Sequence, residues 1–434
     1  MERKIVNSLL KWKGNPDRQP LLLQGARQVG KTYSLLSFGK EHYKNVAYFS
    51  MEESGAIPAI FSRDLNPERI VRELAVNCGQ SILPGDTLII LDEIQACEQA
   101  LTSLKYFAEM APQYHIVAAG SLLGVAMKRE RFSFPVGKVD MLHLHPMDFE
   151  EYLWAAGQEE LSKMIREAYS GFTPLSLHDM AMDLYKTYLV VGGMPRAVQE
   201  YVDKRDFDFV AVIQKNLNDS YVADMAKYAT PQETAKIMAA WASIPAQLAK
   251  DNRKFQYKII RSGARSKDYE LALDWLRAGG MINKCVHVTQ GMLPLSAYTE
   301  PGSFKVYMVD TGILCSKLDI PANVVLHTEH SFDGLKGALV ENYIMQALVA
   351  NGITPYYWTS RGRAEVDFVF QDKQGGVIPL EAKSAENVRS KSLRNYQDIY
   401  KPEYSVRVSA RNFGYENKIK SIPLYAVFSL TPSA

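Results

Sequence analysis

The chain has 434 residues, room for about three domains at roughly 150 residues each. Its 47% hydrophobic and 23% charged residues exclude bulk disorder, and 50 basic against 48 acidic side chains leave a formal charge of +2, so no global field draws it to nucleic acid or membranes. Four scattered cysteines (Cys78, Cys97, Cys285, Cys315), without a CxxC pair, exclude a disulfide scaffold and a standard structural zinc site.

In chain order, Lys11 and Lys13 interrupt the apolar stretch after Met1-Glu2-Arg3-Lys4, so no secretion leader is expected there. No run of about 18 apolar residues marks a membrane span. A cytoplasmic protein without membrane contact is the expectation. Residues 20–24, 45–50, 87–91, 115–119 and 139–144 read as short apolar strands, and 31–43, 67–77 and 100–111 as helices between them. This alternation predicts an α/β core over 1–146, a parallel sheet with helices on both faces.

Residues 147–205 read as a helical domain broken once by Gly192-Gly193-Met194-Pro195, because Pro and paired Gly end a helix. Over 206–325, helices are followed by extended pieces at 281–289 and 303–309, a hairpin that predicts a winged-helix-like domain. Residues 318–333 read as a linker. The last domain, 326–434, reads as a helix at 337–351, strands at 355–358, 365–371 and 376–383, a polar helix at 391–400 and a terminal strand at 424–429.

The segment Gly25-Ala26-Arg27-Gln28-Val29-Gly30-Lys31-Thr32 matches GxxxxGK[ST] between a predicted strand and a predicted helix. That context is what phosphate binding requires. The glycines let consecutive amides turn inward as an anion nest, and the helix N-terminus adds its dipole. Lys31 is expected to reach the β- and γ-phosphates of ATP, and the Thr32 hydroxyl to ligate Mg²⁺. The apolar strand ending in Asp92-Glu93 is the companion. Asp92 is the candidate holder of the metal through its water shell, and Glu93 the candidate base or orienter for the attacking water. A third strand ends in Gly120-Ser121, where Ser121 is the candidate sensor of the γ-phosphate.

These motifs, with Asp92-Glu93-Ile94-Gln95 and Phe134-Pro135-Val136-Gly137, resemble the AAA-type bacterial and archaeal P-loop ATPases related to the STAND class. More narrowly, the whole chain resembles the ATP-binding proteins of that group with a carboxy-terminal domain of unknown function. The resemblance implies an AAA core, a helical lid, a winged helix and a restriction-endonuclease-like α/β tail. It also implies that Gly193-Met194-Pro195 is the lid turn that packs on nucleotide through Pro195, with Arg196 a candidate phosphate contact; the residues alone read equally as a helix–helix turn. Relatives often carry Gly-Arg where this chain has Gly137-Lys138, and Lys lacks the planar fork of Arg. Arg129 and Arg131 are the substitutes, with no choice between them, and a neighbouring copy supplying the arginine would make the protein a homo-oligomer.

In the tail, Glu341 on a predicted helix, Asp367 opening one strand, and Glu381 and Lys383 ending the next form a second candidate site. A hairpin would set Asp367 beside the Glu381/Lys383 pair, with Glu341 reaching in. Hard oxygen ligands of this kind suit Mg²⁺, and Lys383 would stabilise developing charge. The pattern resembles the PD-(D/E)xK nucleases, so the tail is expected to cut DNA or to keep the fold for binding alone. Basic clusters at Lys254, Lys258, Arg261, Arg265 and Lys267, and at Arg361, Arg363, Arg389, Lys391 and Arg394, are candidate phosphate contacts or solvated faces. The favoured expectation is an ATPase acting on DNA. Its rival is a nucleotide-gated switch that binds a protein partner, with an idle tail.

Overall fold

The computed structural model describes every residue except 53–54, 122, 127–134, 136, 251–252, 328–332, 361–363, 384–390 and 433–434. Arg129, Arg131, Phe134, Val136, Arg361, Arg363 and Arg389 therefore lie outside the described residues. The chain divides into two compact units: Glu2–His145 with Ala278–Gly280, and Met1 with Pro146–Arg277 and Met281–Ala434.

The first unit is built on β1 (Leu21–Gln24), β2 (Asn45–Ser50), β3 (Thr87–Asp92), β4 (His115–Gly120) and β5 (Asp140–His143). They form one sheet, parallel throughout, in the order β2-β3-β4-β1-β5. Strands β3 and β4 are buried at every position, as central strands covered on both faces must be, and their sequences are correspondingly apolar without alternation. Helices Ala56–Arg63, Pro67–Cys78 and Glu98–Met110 close one core, packing Ile60, Leu74, Leu104 and Phe107 with Phe49, Ile89 and Leu91. The second of them has clear boundaries. The Asn66 side chain accepts the Arg69 amide, Pro67 opens the first turn and Gly79 closes the last in a left-handed conformation. Because β4 lies between β1 and β3, the loops leaving all three strands emerge side by side at one sheet edge.

The second unit begins with helices Phe149–Ala155, Glu159–Gly171, His178–Val191 and Pro195–Lys204, then Phe207–Tyr228 and Pro231–Leu248. Reciprocal caps start two of them, Asp148 with Glu151 and Thr230 with Glu233. A mixed sheet follows, made of β6 (Ile282–Val288), β7 (Thr299–Met308), β8 (Tyr356–Thr359), β9 (Glu365–Gln371), β10 (Val377–Ala382), β11 (Ser405–Ser409), β12 (Gly414–Glu416) and β13 (Ile419–Pro423), in the order β12-β13-β11-β10-β9-β8-β6-β7.

Three features differ from the sequence reading. The hairpin expected as the wing of a winged helix is β6–β7, and it is the end of this sheet: Val286, His287 and Val288 pair in parallel with Tyr356, Tyr357 and Trp358. A free edge of apolar β8 would otherwise stand open, and nothing local in the sequence reveals such a long-range parallel pairing. Second, Leu424–Ser429 is a fully buried 3₁₀ turn, and the terminal strands lie before it at 405–423. A short apolar run does not by itself distinguish a buried strand from a buried helical turn. Third, the expected linker holds a whole helix, Ala322–His327, and the first residue of the next, Asp333–Ala350.

Candidate functional site

The turn from Gly25 to Gly30 joins β1 to helix Lys31–His42. Gly25 has φ 153°, and a Cβ there would lie 2.2 Å from the Leu144 carbonyl oxygen, so no larger residue fits. Gly30, at φ 93° and ψ 25°, turns the chain into the helix. Ala26 and Val29 are buried, Gln28 has φ 64°, and Arg27 completes the turn. Arg3 fastens it from below, donating Nη1 to the Val29 carbonyl (2.9 Å) and Nη2 to the His145 carbonyl (2.7 Å). The first-turn amides of the helix have no acceptor within the helix, which makes this end an anion site. Lys31, 6% exposed, donates Nζ to the carbonyls of Gly25 (3.0 Å) and Ala26 (2.9 Å), lying back over the turn.

The end of β3 meets that helix. Asp92 is 4% exposed; its Oδ2 accepts the Thr32 hydroxyl at 2.6 Å and the Tyr48 hydroxyl at 3.0 Å, while Oδ1 accepts the Glu93 amide at 3.0 Å. The Thr32 and Asp92 oxygens form a hard donor set of the kind Mg²⁺ takes. Glu93 is held in left-handed backbone, φ 50° and ψ 44°. Its Oε2 accepts Gln95 Nε2 at 2.5 Å and lies 3.5 Å from Ser121 Oγ at the end of β4. The structure thus brings Lys31, Thr32, Asp92, Glu93 and Ser121 to one sheet edge. Sequence reasoning gave no role to Arg3, Tyr48, Gln95 or His143. Gln95 alone carried a local signal, two positions after Glu93. His143 stands beside Gln24 in β5, and burial, with the nearby Lys31 charge, pushes its pKa down to about 4, so it is neutral at pH 7.

Pro195 opens helix Pro195–Lys204 in the second unit. The glycine turn before it is shaped by that unit's own core. Gly192 has φ 73°, and a Cβ on Gly193 would lie 2.0 Å from the Met147 carbonyl oxygen. The Gly193 amide donates to Asp310 Oδ2 at 2.6 Å, and the Ile313 amide to Oδ1 at 3.0 Å. Asp310 is fully buried, and burial pushes its pKa up to about 6 against these backbone donors.

The tail residues gather around a side chain that the sequence reading did not consider. Lys305 on β7, 1% exposed, places Nζ 2.6 Å from Glu365 Oε1 and 3.6 Å from Glu341 Oε2, and 5.2 Å from the centre of the Tyr357 ring. Burial works to neutralise it, but Glu341, Glu365 and Asp367 outweigh burial and hold its pKa above the ordinary lysine value. Glu341 also accepts Tyr307 OH at 2.9 Å and pairs with Arg253 through its other oxygen. Asp367 Oδ2 accepts the Ala382 amide at 2.9 Å, and Lys383 pairs with Glu381 Oε1 at 2.7 Å. Burial, then the Glu341 charge, pushes Asp367 up to about 7, with Lys305 opposing. Asp367 and Glu381 lie on adjacent antiparallel strands, β9 and β10. Yet among the described residues no group of three or more His, Cys, Asp or Glu is arranged to hold a metal.

Residues 17–153 match the AAA domain family. Residues 182–323 and 336–427 match two domains of unknown function, DUF8612 and DUF4143. Among solved structures, the chain is similar to the Walker-type ATPase of Pyrococcus abyssi at 16% identity, over 73% of this chain and 95% of that one, with a TM-score of 0.46. It is also similar to the ORC2 protein of Aeropyrum pernix in ADPNP–ADP complexes (13%, 77% and 90%, TM-score 0.34). A third is the RuvB Holliday junction branch migration motor of Thermotoga maritima (15%, 68% and 91%, TM-score 0.29). No curated protein matches the chain.

Proposed function

We propose that the AAA-type P-loop ATPase domain of this chain, residues 17–153, binds ATP with Mg²⁺ on the Gly25–Thr32 turn and hydrolyses it with Glu93. The observation that carries this reading is the 2.6 Å hydrogen bond between Thr32 Oγ1 and Asp92 Oδ2, which joins the two halves of the site across β4. Amides of the turn and helix cradle the phosphates, and Lys31 exchanges its bonds to the Gly25 and Ala26 carbonyls for phosphate oxygens. Thr32 and Asp92 would hold the metal. Bound Mg²⁺ would supply charge neutralisation for the triphosphate. Glu93, oriented by Gln95, takes or aligns the water proton, and Ser121 follows the γ-phosphate from the neighbouring strand. Replacing Glu93 by Gln keeps nucleotide binding and lowers turnover by about 100-fold or more. Turnover unchanged in Glu93→Gln would remove that residue from the chemistry.

The partner we assign to the second unit is a nucleic-acid backbone. Lys258, Arg261, Arg265 and Lys267 are exposed along one short stretch spanning helix Tyr257–Ile260 and the start of Ser266–Ala278, where phosphates can reach them. Turnover measured with and without single- and double-stranded DNA tests this: stimulation supports it, and indifference favours a protein partner gated by nucleotide.

A further inference from the structure

The tail's resemblance to metal-dependent nucleases implies a divalent cation among Glu341, Asp367 and Glu381. The residues present do not fit one. A nuclease metal needs several carboxylate oxygens free to converge on one point, near-octahedral in the case of Mg²⁺. Both oxygens of Glu341 are engaged, one by Arg253 and the other by Tyr307 OH and Lys305. Asp367 accepts a backbone amide, and Glu365 is paired with Lys305. Lys383, the expected charge stabiliser, is paired with Glu381. Of these carboxylates Glu381 contributes a buried oxygen without a partner, Oε2, and one such oxygen is no ligand set.

We infer that Lys305 is the resident cation of this cluster: its ammonium takes the place of the divalent metal between Glu341 and Glu365, beside Asp367, and the tail therefore neither binds Mg²⁺ there nor hydrolyses phosphodiesters. The ammonium is tethered to β7, the hairpin strand that closes the sheet, so the same pairing that completes the sheet delivers the charge. Lys305 is 1% exposed and enclosed by Glu341, Glu365 and the Tyr357 ring, so it offers no charge to an incoming phosphate. The inference extends beyond the ATPase reading and stands without it.

The test is Mn²⁺ binding to the full-length, nucleotide-free chain carrying Asp92→Asn, which removes the carboxylate of the core site. The expected result is no Mn²⁺ binding in the micromolar range and no Mn²⁺-dependent nicking of plasmid DNA. Lys305→Ala in the same background leaves space, frees Glu365 and removes the cation beside Glu341 and Asp367; it is expected to lose thermal stability and regain it when Mn²⁺ is added, a response absent from the parent. Micromolar Mn²⁺ binding or nicking by the parent that Asp367→Asn abolishes would overturn the inference. So would a folded Lys305→Ala that gains no Mn²⁺ response. If Lys305→Ala does not fold, the parent's binding and nicking measurements still decide.

Discussion

Glu93 stands in left-handed backbone that an L side chain adopts only at an energetic cost of roughly 1–2 kcal/mol, with Gln95 Nε2 drawn against its carboxylate. The strain aims one carboxylate. Gln95→Ala leaves the strain but removes the aim, so turnover should fall between about 10- and 100-fold with nucleotide affinity unchanged. Equal losses in both would place Gln95 in binding instead. Asp310 is the other residue under tension. Its pKa lies at about 6 in the folded chain against 3.8 for an ordinary Asp, so the native state holds the proton more tightly. The stabilisation from that proton is complete below pH 3.8 and is lost as pH rises through 6, a change of about 3 kcal/mol. Asp310→Asn should flatten the stability curve across this window while lowering stability at pH 7, because its Nδ2 must face one of the two amides that the carboxylate now accepts. A stability profile as steep as that of the unmodified chain would contradict this assignment.

At the scale of elements, the hairpin β6–β7 decides how the tail folds. It covers the edge of β8 and brings in Lys305, which counters Glu341 and Glu365. A fragment beginning at residue 326 would expose that edge and bury unpaired carboxylates, so it should fail to give a cooperative thermal transition, whereas one beginning at 281 keeps the sheet whole. A cooperative transition from the shorter fragment would contradict the account. This is also where the sequence was hardest to read. The loop Gly25–Thr32 and the strand ending Asp92-Glu93 were legible because their chemistry is local: glycine conformations, a helix start, carboxylates at a strand end. Lys305 was not, since a single lysine in an extended run looks like any solvated residue until a strand some fifty positions later pairs beside its hairpin. Tyr48 and Arg3 were missed for the same reason, as both act across the fold on groups far away in sequence.

For the molecule as a whole, charge is the relevant quantity. The net +2 gives no long-range attraction to nucleic acid, so the affinity we propose must come from a local patch, and the exposed group at 258–267 is the one assigned to it. With four cations contacting phosphates, the logarithm of affinity should fall with the logarithm of salt concentration at a slope of about −3 to −4. Exchanging Arg261 and Arg265 for Ala should bring the slope nearer to zero by about 2, leaving ATP turnover without DNA untouched. A slope that does not change would place any DNA contact elsewhere. Among the described residues no helix is long and apolar enough to cross a membrane.

The central claim is that the turn Gly25–Thr32 holds a nucleoside triphosphate with Mg²⁺. It is tested most directly by titrating a non-hydrolysable ATP analogue with Mg²⁺ into the unmodified chain and into Lys31→Ala by calorimetry. The account predicts one site per chain in the first and a loss of affinity of at least about 100-fold in the second, as the Lys31 ammonium lies back over the Gly25–Ala26 carbonyls of the phosphate turn. Equal affinity in the two proteins, or no binding by the unmodified chain, would contradict it.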